Sequence, residues 1–461
     1  MMDSRIIALA RQLVTSVNLQ QGEKILIETT DVPAEVPVAL VRACKEAGGY
    51  PVIRTVDSRV RKAEILATPK EFKEECARRD LEEMKTMDAY IAVRGGDNAF
   101  EMSDLPGELN AEYKQIRRPV VRYRVDKTKW CITRWPNGAM AQDAHMSTEA
   151  FEDFYFDACL VDYRAMTEAA KPLVELMNST REVKIVAPGT ELTFSIDGIP
   201  AVPCCGEKNI PDGEVYTAPV KTSVNGVISY NTPTVYMGIP FSNIRLEFKD
   251  GKIVSATCGS GDQAKLDAIF NTDEGARYVG EFAMGINPKI RRPMCDILFD
   301  EKIGGSIHFT PGNAYQDAPN GNSSAIHWDL VLILHKEYGG GEVYFDGQLV
   351  QKDGIFVHPA LENLSIGNNQ EATDFVKPST AKPAESIEEM RKSMKFYTND
   401  ETKNLKTEGI DPISKGERYR YPYPRWVSGT DEQMYGIVEA AEYDIPKNVS
   451  FGPYVPCRAV M

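Results

Sequence analysis

The spacing of apolar and polar positions changes character partway along the chain. Up to about residue 179, short apolar runs alternate with stretches at helical spacing. GEKILIETT (22–30), PVIRTVD (51–57), DAYIAVRGG (88–96) and PVVRYR (119–124) read as strands. The opening segment MMDSRIIALARQLVTSVNLQ reads as an amphipathic helix capped by Asp3 or Ser4. Residues 31–49 carry apolar side chains at helical spacing and stop at a glycine pair. EFKEECARRDLEEMKTM reads as a charged helix. Residues 146–178 read as one long helix opened by Ser147 or Thr148. Repeated β–α units imply a mainly parallel sheet covered by helices.

Beyond residue 180 strands dominate, joined by short polar turns, as in EVKIVAPGTELTFSIDG and NIRLEFKDGKIVSATC. FKDGKIV is a hairpin turning on Asp-Gly, and GEVYFDGQLVQKDGIFV holds two more such turns. One helix, DQAKLDAIFNTDEGARYV, interrupts. The pattern predicts an α/β N-terminal domain over 1–179 and a sheet-rich α+β domain over 180–367. A C-terminal extension over 368–461 follows: a polar, Pro-containing linker, a short helix and an aromatic, Pro-rich arm around YRYPYPRW.

Composition narrows the partners. The 461 residues are 42% hydrophobic and 26% charged, which suits a globular protein. A net charge of −14 argues against nucleic acid or an anionic membrane as a main partner. No run of 18 apolar residues marks a membrane span, and the N-terminus lacks the apolar block of a signal peptide. The nine cysteines are scattered with no CxxC, as expected of small buried residues in a reducing cytoplasm. None sits in a recognisable nucleophile motif.

The chain has five histidines, and three of them, His308, His327 and His335, fall within 28 positions. His327 and Asp329 lie in SSAIHWDLVLIL (323–334), which reads as a buried strand. At a spacing of two they point the same way. A carboxylate there is costly unless paired or metal-bound. The pair is either a metal-ligand pair or a His–Asp hydrogen bond that only orders the strand. His335 reads as structural, and His145 and His358 as surface or capping residues.

Glu214 (PDGEVYTAP), Glu281 (GARYVGEFAMG) and Glu301 (ILFDEKIGGSIHF) are carboxylates beside apolar sequence. Glu281 is expected just after a helix that ends at Gly280, and Glu301 just after an apolar strand. Each taken singly reads as a surface charge. Together with His308, His327 and Asp329 they form an oxygen-rich set with two imidazoles, which suits Zn, Co or Mn. Tyr315, seven residues after His308, is either a packed loop residue or a donor to a developing oxyanion.

Several motifs in order resemble the thermophilic aminopeptidase T family over about residues 1–367. They include TKWCITRWPNGAMAQDAHMSTEAFEDF (128–154), PGTELTFSIDG (188–198), GEVYTAP (213–219) and TDEGARYVGEFAMG (272–285). ILFDEKIGGSIHFTPGNAY (297–315) and SAIHWDLVL (324–332) complete the set. The resemblance implies a cytosolic dinuclear metallopeptidase, usually a homodimer, that removes N-terminal residues from small peptides. It carries two divalent ions (Zn, Co, Mn or Mg) on Glu214, Glu281, Glu301, His308, His327 and Asp329. Glu281 and Tyr315 become the catalytic pair. The chain departs from the family in the segment KIGGSI before His308, which is longer and holds two glycines, and in a shorter stretch from Tyr315 to His327. Related folds carry mononuclear iron dioxygenases that open dihydroxypyridine rings, and His308, His327 and Asp329 match such a triad. The extra carboxylates argue against that alternative.

Overall fold

A computed structural model describes residues 2–364 except Ala99 and Met237. The expected linker, helix and arm of 368–461 lie outside the described residues.

The first part is a βα series. Helix α1 (Ser4–Ser16) starts where the Asp3 side chain accepts from the Arg5 amide, and buries Leu9, Ala10, Leu13 and Val14. Strand β1 (Lys24–Thr30), α2 (Glu35–Glu46), β2 (Tyr50–Val56), α3 (Ser58–Ala67), α4 (Lys70–Met84), β3 (Ala89–Arg94), α5 (Gly107–Lys127) and β4 (Lys129–Arg134) follow. The short α6 (Gly138–Asp143), then α7 (Thr148–Cys159) and α8 (Tyr163–Ser179), complete it. The strands are parallel, in the order β2-β1-β3-β4. Both faces of β3 are buried, which is why AYIAVR is a near-continuous apolar run, and β1 buries Ile25, Leu26 and Ile27 in the same way.

Two expectations here are corrected. PVVRYR is not a strand; it lies inside α5, where Val120 packs with Leu26, Met84 and Tyr90. The fourth strand is β4, ten residues later. The long helix over 146–178 is two helices. Leu160 ends α7, and the Asp162 side chain caps α8 by accepting from the Ala165 amide.

The rest is largely antiparallel. It runs β5 (Glu182–Ala187), β6 (Thr190–Ser195), β7 (Val202–Cys204), β8 (Asn209–Ile210), β9 (Glu214–Thr217), β10 (Asn225–Ser229), β11 (Thr234–Tyr236), β12 (Ile239–Lys249) and β13 (Lys252–Ser260). Then come α9 (Gln263–Phe270), β14 (Val279–Gly285), α10 (Ile297–Asp300), β15 (Ser306–Pro311) and β16 (Val331–Ile333). The hairpin strands β17 (Glu342–Phe345), β18 (Gln348–Lys352) and β19 (Ile355–Phe356) follow. A nine-stranded sheet holds β5, β6, β10 to β13 and β17 to β19, and a five-stranded sheet runs β16-β15-β14-β9-β7. Strand β8 adds to the parallel sheet beside β4. The architecture is thus an α/β part with a parallel sheet followed by antiparallel sheets. The expected Asp-Gly turns form at Asp250–Gly251, Asp346–Gly347 and Asp353–Gly354, all with positive φ.

Strand and helix limits near the site differ from the reading of the sequence. Glu281 lies inside β14, which already includes Gly280. Glu301 caps the C-terminus of α10 rather than following a strand, because Asp296 caps that short helix by accepting from the Leu298 amide. His327 and Asp329 precede β16, and His327 touches the neighbouring chain segment through a single bridge to Gly312.

Candidate metal centre

The β16-β15-β14-β9-β7 sheet has one apolar and one polar face. Phe282 on β14 and Phe309 on β15 pack with Phe194, at ring distances of 5.0 and 4.9 Å. Alternation then turns Glu281 and His308 to the opposite face. Register aligns Ala283 of β14 with His308 on one side and Tyr216 on the other, and Gly285 with Glu214. Small residues at 283 and 285 leave room between the larger polar side chains. A Cβ at Gly285 would meet the Ile303 carbonyl oxygen at 2.1 Å, so this glycine also lets the 301–305 loop close in.

Trp328 and Leu330 are buried, and the alternation places His327 and Asp329 on the polar side. Trp328 is fixed by Tyr236, Phe241 and Phe270, with ring distances of 4.5, 5.5 and 6.0 Å. The segment after α10 is held by Phe299, which packs on Phe151, Phe154 and Tyr155 of α7.

The structure brings five of the expected side chains into two close groups, Glu214–Glu281–His308 and Glu281–His327–Asp329, with Glu281 in both. His308 Nε2 lies 2.9 Å from Glu281 Oε1 and 3.1 Å from Glu214 Oε2. His327 Nε2 lies 3.4 Å from Glu281 Oε2 and 3.2 Å from Asp329 Oδ1. His327 Nδ1 donates to the Asn313 carbonyl at 2.8 Å, which turns Nε2 towards the carboxylates. Thr310 Oγ1 donates to Asp329 Oδ1 at 2.8 Å. Tyr315 sits at the rim, 45% exposed, its ring 4.6 Å from His327.

Glu301 belongs to neither group. It pairs with Lys302 at 2.9 Å. Lys302, only 1% exposed, also reaches Glu214 at 2.6 Å and Asp212 at 3.4 Å. Cys204, Asp212 and Glu214 form a third close group, but the Lys302 ammonium already answers its carboxylates.

Charge is tightly balanced here. Burial raises the Glu214 carboxyl, but Lys302 and His308 outweigh it and hold it at about 2. Burial pushes Glu301 up to about 8, against the pull of Lys302 and with the help of Glu214. Burial opposes charge on His327, yet Asp329 and Glu281 carry it up to about 12. His308 is raised well above its ordinary value, since Glu214 and Glu281 overcome the burial that disfavours its charge.

These groups fit divalent cations. Glu214 Oε2 and Glu281 Oε2 are buried and, although the His308 and His327 imidazoles approach to 3.1 and 3.4 Å, neither oxygen has a well-aligned hydrogen bond, which buried polar atoms seldom lack. Carboxylate oxygens and imidazole nitrogens are the donor set of Zn, Co or Mn. Sequence reasoning missed Lys302, Asp212, Thr310 and Asn313. The run DEK (300–302), with a lysine inside apolar sequence, was the available signal for Lys302. The remaining histidines act as expected: His358 accepts from the Ala360 amide, His145 is exposed, and buried His335 donates from Nε2 to the Gly304 carbonyl at 2.6 Å.

The chain is similar to known proteins along most of its described length. Aminopeptidase PepS of Streptococcus thermophilus is 26% identical over 410 residues, covering 77% of this chain and 96% of the relative. Aminopeptidase T of Thermus thermophilus is 32% identical over 155 residues, covering 30% of this chain and 37% of the relative. The solved structure of wild-type AmpT from Thermus thermophilus superposes with a TM-score of 0.66 at 20% identity, over 77% of this chain and 99% of that one. A 2,5-dihydroxypyridine dioxygenase from Pseudomonas putida shares the fold at a TM-score of 0.50 and 12% identity, over 77% and 97%. The family described as thermophilic metalloprotease (M29) matches residues 2–343, and the chain belongs to it.

Proposed function

We propose that this metalloprotease is an aminopeptidase that hydrolyses the N-terminal residue of small peptides with two divalent ions, drawn from Zn, Co, Mn or Mg. The observation that carries the reading is Glu281, which is shared by two ligand groups on one face of a sheet. Glu214 and His308 would complete one site, and His327 and Asp329 the other. All come from 180–367, the part proposed as the catalytic domain. The relatives named as aminopeptidases support the substrate class.

When bound, such ions lower the pKa of water to about 7 and polarise a carbonyl. The chain's own side chains do the rest. Glu281 would take a proton and return it to the leaving amine. Tyr315, at the rim, donates a hydrogen bond to the oxygen that gains charge. Lys302 keeps Glu214 and Glu301 compensated without itself reaching the rim. Glu301 is then a counter-charge to Lys302 and a neighbour of the metals rather than one of the closest ligands. Ring-opening chemistry at His308, His327 and Asp329 has less support, because Glu281 stands between the two imidazoles and would fill an open position. A homodimer in the cytoplasm belongs to the same reading, and the eight described cysteines are all free, as a reducing compartment leaves them.

The test is metal content by mass spectrometry after loading with Zn or Co, together with cleavage of aminoacyl substrates. About two ions per chain and amine-terminal cleavage are expected, and Glu281→Gln should lower kcat by at least about a hundredfold while the fold is kept. Near-normal turnover in that variant would remove Glu281 from the chemistry. One tightly held iron would favour the dioxygenase.

A further inference from the structure

A cleft lies in the parallel-sheet part, and none of the residues named as metal ligands lines it. It encloses about 550 Å³ between the sheet and α5. Its sheet side is Leu26 and Glu28 of β1, Arg54 of β2, and Tyr90 and Arg94 of β3. The strand order β2-β1-β3-β4 means the chain moves from β1 to β2, then returns to the other edge of β1. In open α/β sheets that reversal leaves a crevice at the carboxyl ends of the strands, and ligands bind there. Arg94 is the last residue of β3 and Arg54 lies two residues before the end of β2, so the cleft reaches that end, while Leu26 and Tyr90 carry it back along the sheet face under α5.

The lining is cationic although the chain carries −14 overall. Arg54 and Arg117 are answered by carboxylates: Arg54 by Asp80 at 3.2 Å, by Glu83 and by Glu28 at 3.8 Å, and Arg117 by Asp80. Arg61 lies 3.5 Å from Glu64 and donates to the Tyr113 hydroxyl at 2.8 Å. Arg94, Lys114, Arg118 and Arg124 have no carboxylate within 4.0 Å among the described residues. Lys114 and Arg118 are one turn apart on α5, and Arg124 lines the cleft from further along the same helix. Arg124 lies over the Tyr90 ring at 5.0 Å, and its Nε is buried without a hydrogen-bond partner. Like charges gathered on a concave surface repel one another until an anion joins them. Leu26, Met84, Val120 and Tyr90 give the same cleft an apolar floor.

We propose that this cleft binds a small phosphomonoester with an aromatic or apolar body, its phosphate held by Arg94 and Arg118 and its body lying towards Tyr90 and Arg124. Arginine forks match phosphate oxygens in pairs, and the floor takes the body of the ligand. A volume of about 550 Å³ lies within the usual range for such sites. The Glu28 carboxylate, to which the Tyr90 hydroxyl donates at 3.3 Å, is the one carboxylate among the described lining residues and an acceptor for a ligand hydroxyl.

The test is calorimetric titration of the full metal-loaded chain with AMP, inorganic phosphate and adenosine. Saturable binding of AMP is expected, tighter than phosphate, weakened by salt and absent for adenosine. The paired substitutions Arg94→Gln and Arg118→Gln should weaken AMP by at least about tenfold. Both side chains are exposed, so the fold should hold, and circular dichroism checks it. No saturable binding below about 10 mM AMP would overturn the proposal. So would unchanged affinity in the folded double variant, which would place the phosphate at the metal centre instead, or binding of adenosine equal to that of AMP.

Discussion

Two residues show how side chains outside the ligand set shape the centre. Lys302 is a buried ammonium surrounded by Asp212, Glu214 and Glu301. Removing one partner of such a cluster leaves uncompensated buried charge, which typically costs about 3–5 kcal/mol. Lys302→Met should therefore lower the thermal midpoint strongly and alter metal affinity. A variant with wild-type stability would show that the carboxylates are neutralised by other means. His335 explains the glycine pair that lengthens the segment before His308. Its ring fills a slot where a Cβ on Gly305 would approach to 2.5 Å and one on Gly354 to 2.2 Å, and Gly304 supplies its acceptor. Burial, with the charge of Arg291, lowers its pKa below 6.5. A base with a depressed folded pKa contributes stability that is present above its unfolded pKa of about 6.5 and is lost as pH falls. The contribution of His335 to the urea midpoint should thus fall between pH 7 and 5. His335→Gln should be less stable at pH 8 but show a shallower acid loss, and an equally steep loss would clear His335 of this role.

At the scale of elements, the comparison of sequence with structure turns on which neighbours each segment meets. PVVRYR has the β-branched composition of a strand, yet it is helical because Val120 covers Leu26 and Tyr90 while Arg117 ties α5 to Asp80 of α4. Tertiary contacts overrode local preference there. Reading it as a strand also separated Arg118 and Arg124 from Lys114, which one helix, α5, carries to the same cleft. The His-x-Asp pair was legible because alternation survives outside regular pairing. Its geometry rests on buried Trp328, 2% exposed, between the two ligands. Trp328→Ala should cost about 3–5 kcal/mol. It should also release His327 and Asp329 from their common side, so metal binding there should weaken more than at Glu214 and His308. Two-site titration with Co checks this, and equal weakening at both sites would show that Trp328 only supports the fold.

Across the whole molecule, the site depends on segments far apart in sequence that only the folded sheet unites: Glu214 on β9, Glu281 on β14, His308 on β15 and the pair before β16. Residue types and motif order pointed to them, but the split into two groups sharing Glu281 is a property of strand register. That assembly has a consequence for metal binding. Without ions, His327 is held at about 12 and His308 well above its ordinary value, so both imidazoles are protonated near neutrality. For a base raised in the fold, this pairing stabilises fully below about pH 6.5 and is lost only as pH rises through the folded value. Metal ligands must be neutral imidazoles, so each ion must displace a proton. Loading the apoprotein at pH 7 should release about one proton per ion, and apparent affinity should rise with pH. Calorimetry in buffers of different ionisation enthalpy measures that release directly. Metal uptake with no proton release would mean that the histidines are already neutral, and that the carboxylates rather than the imidazoles dominate the first contact with the ion.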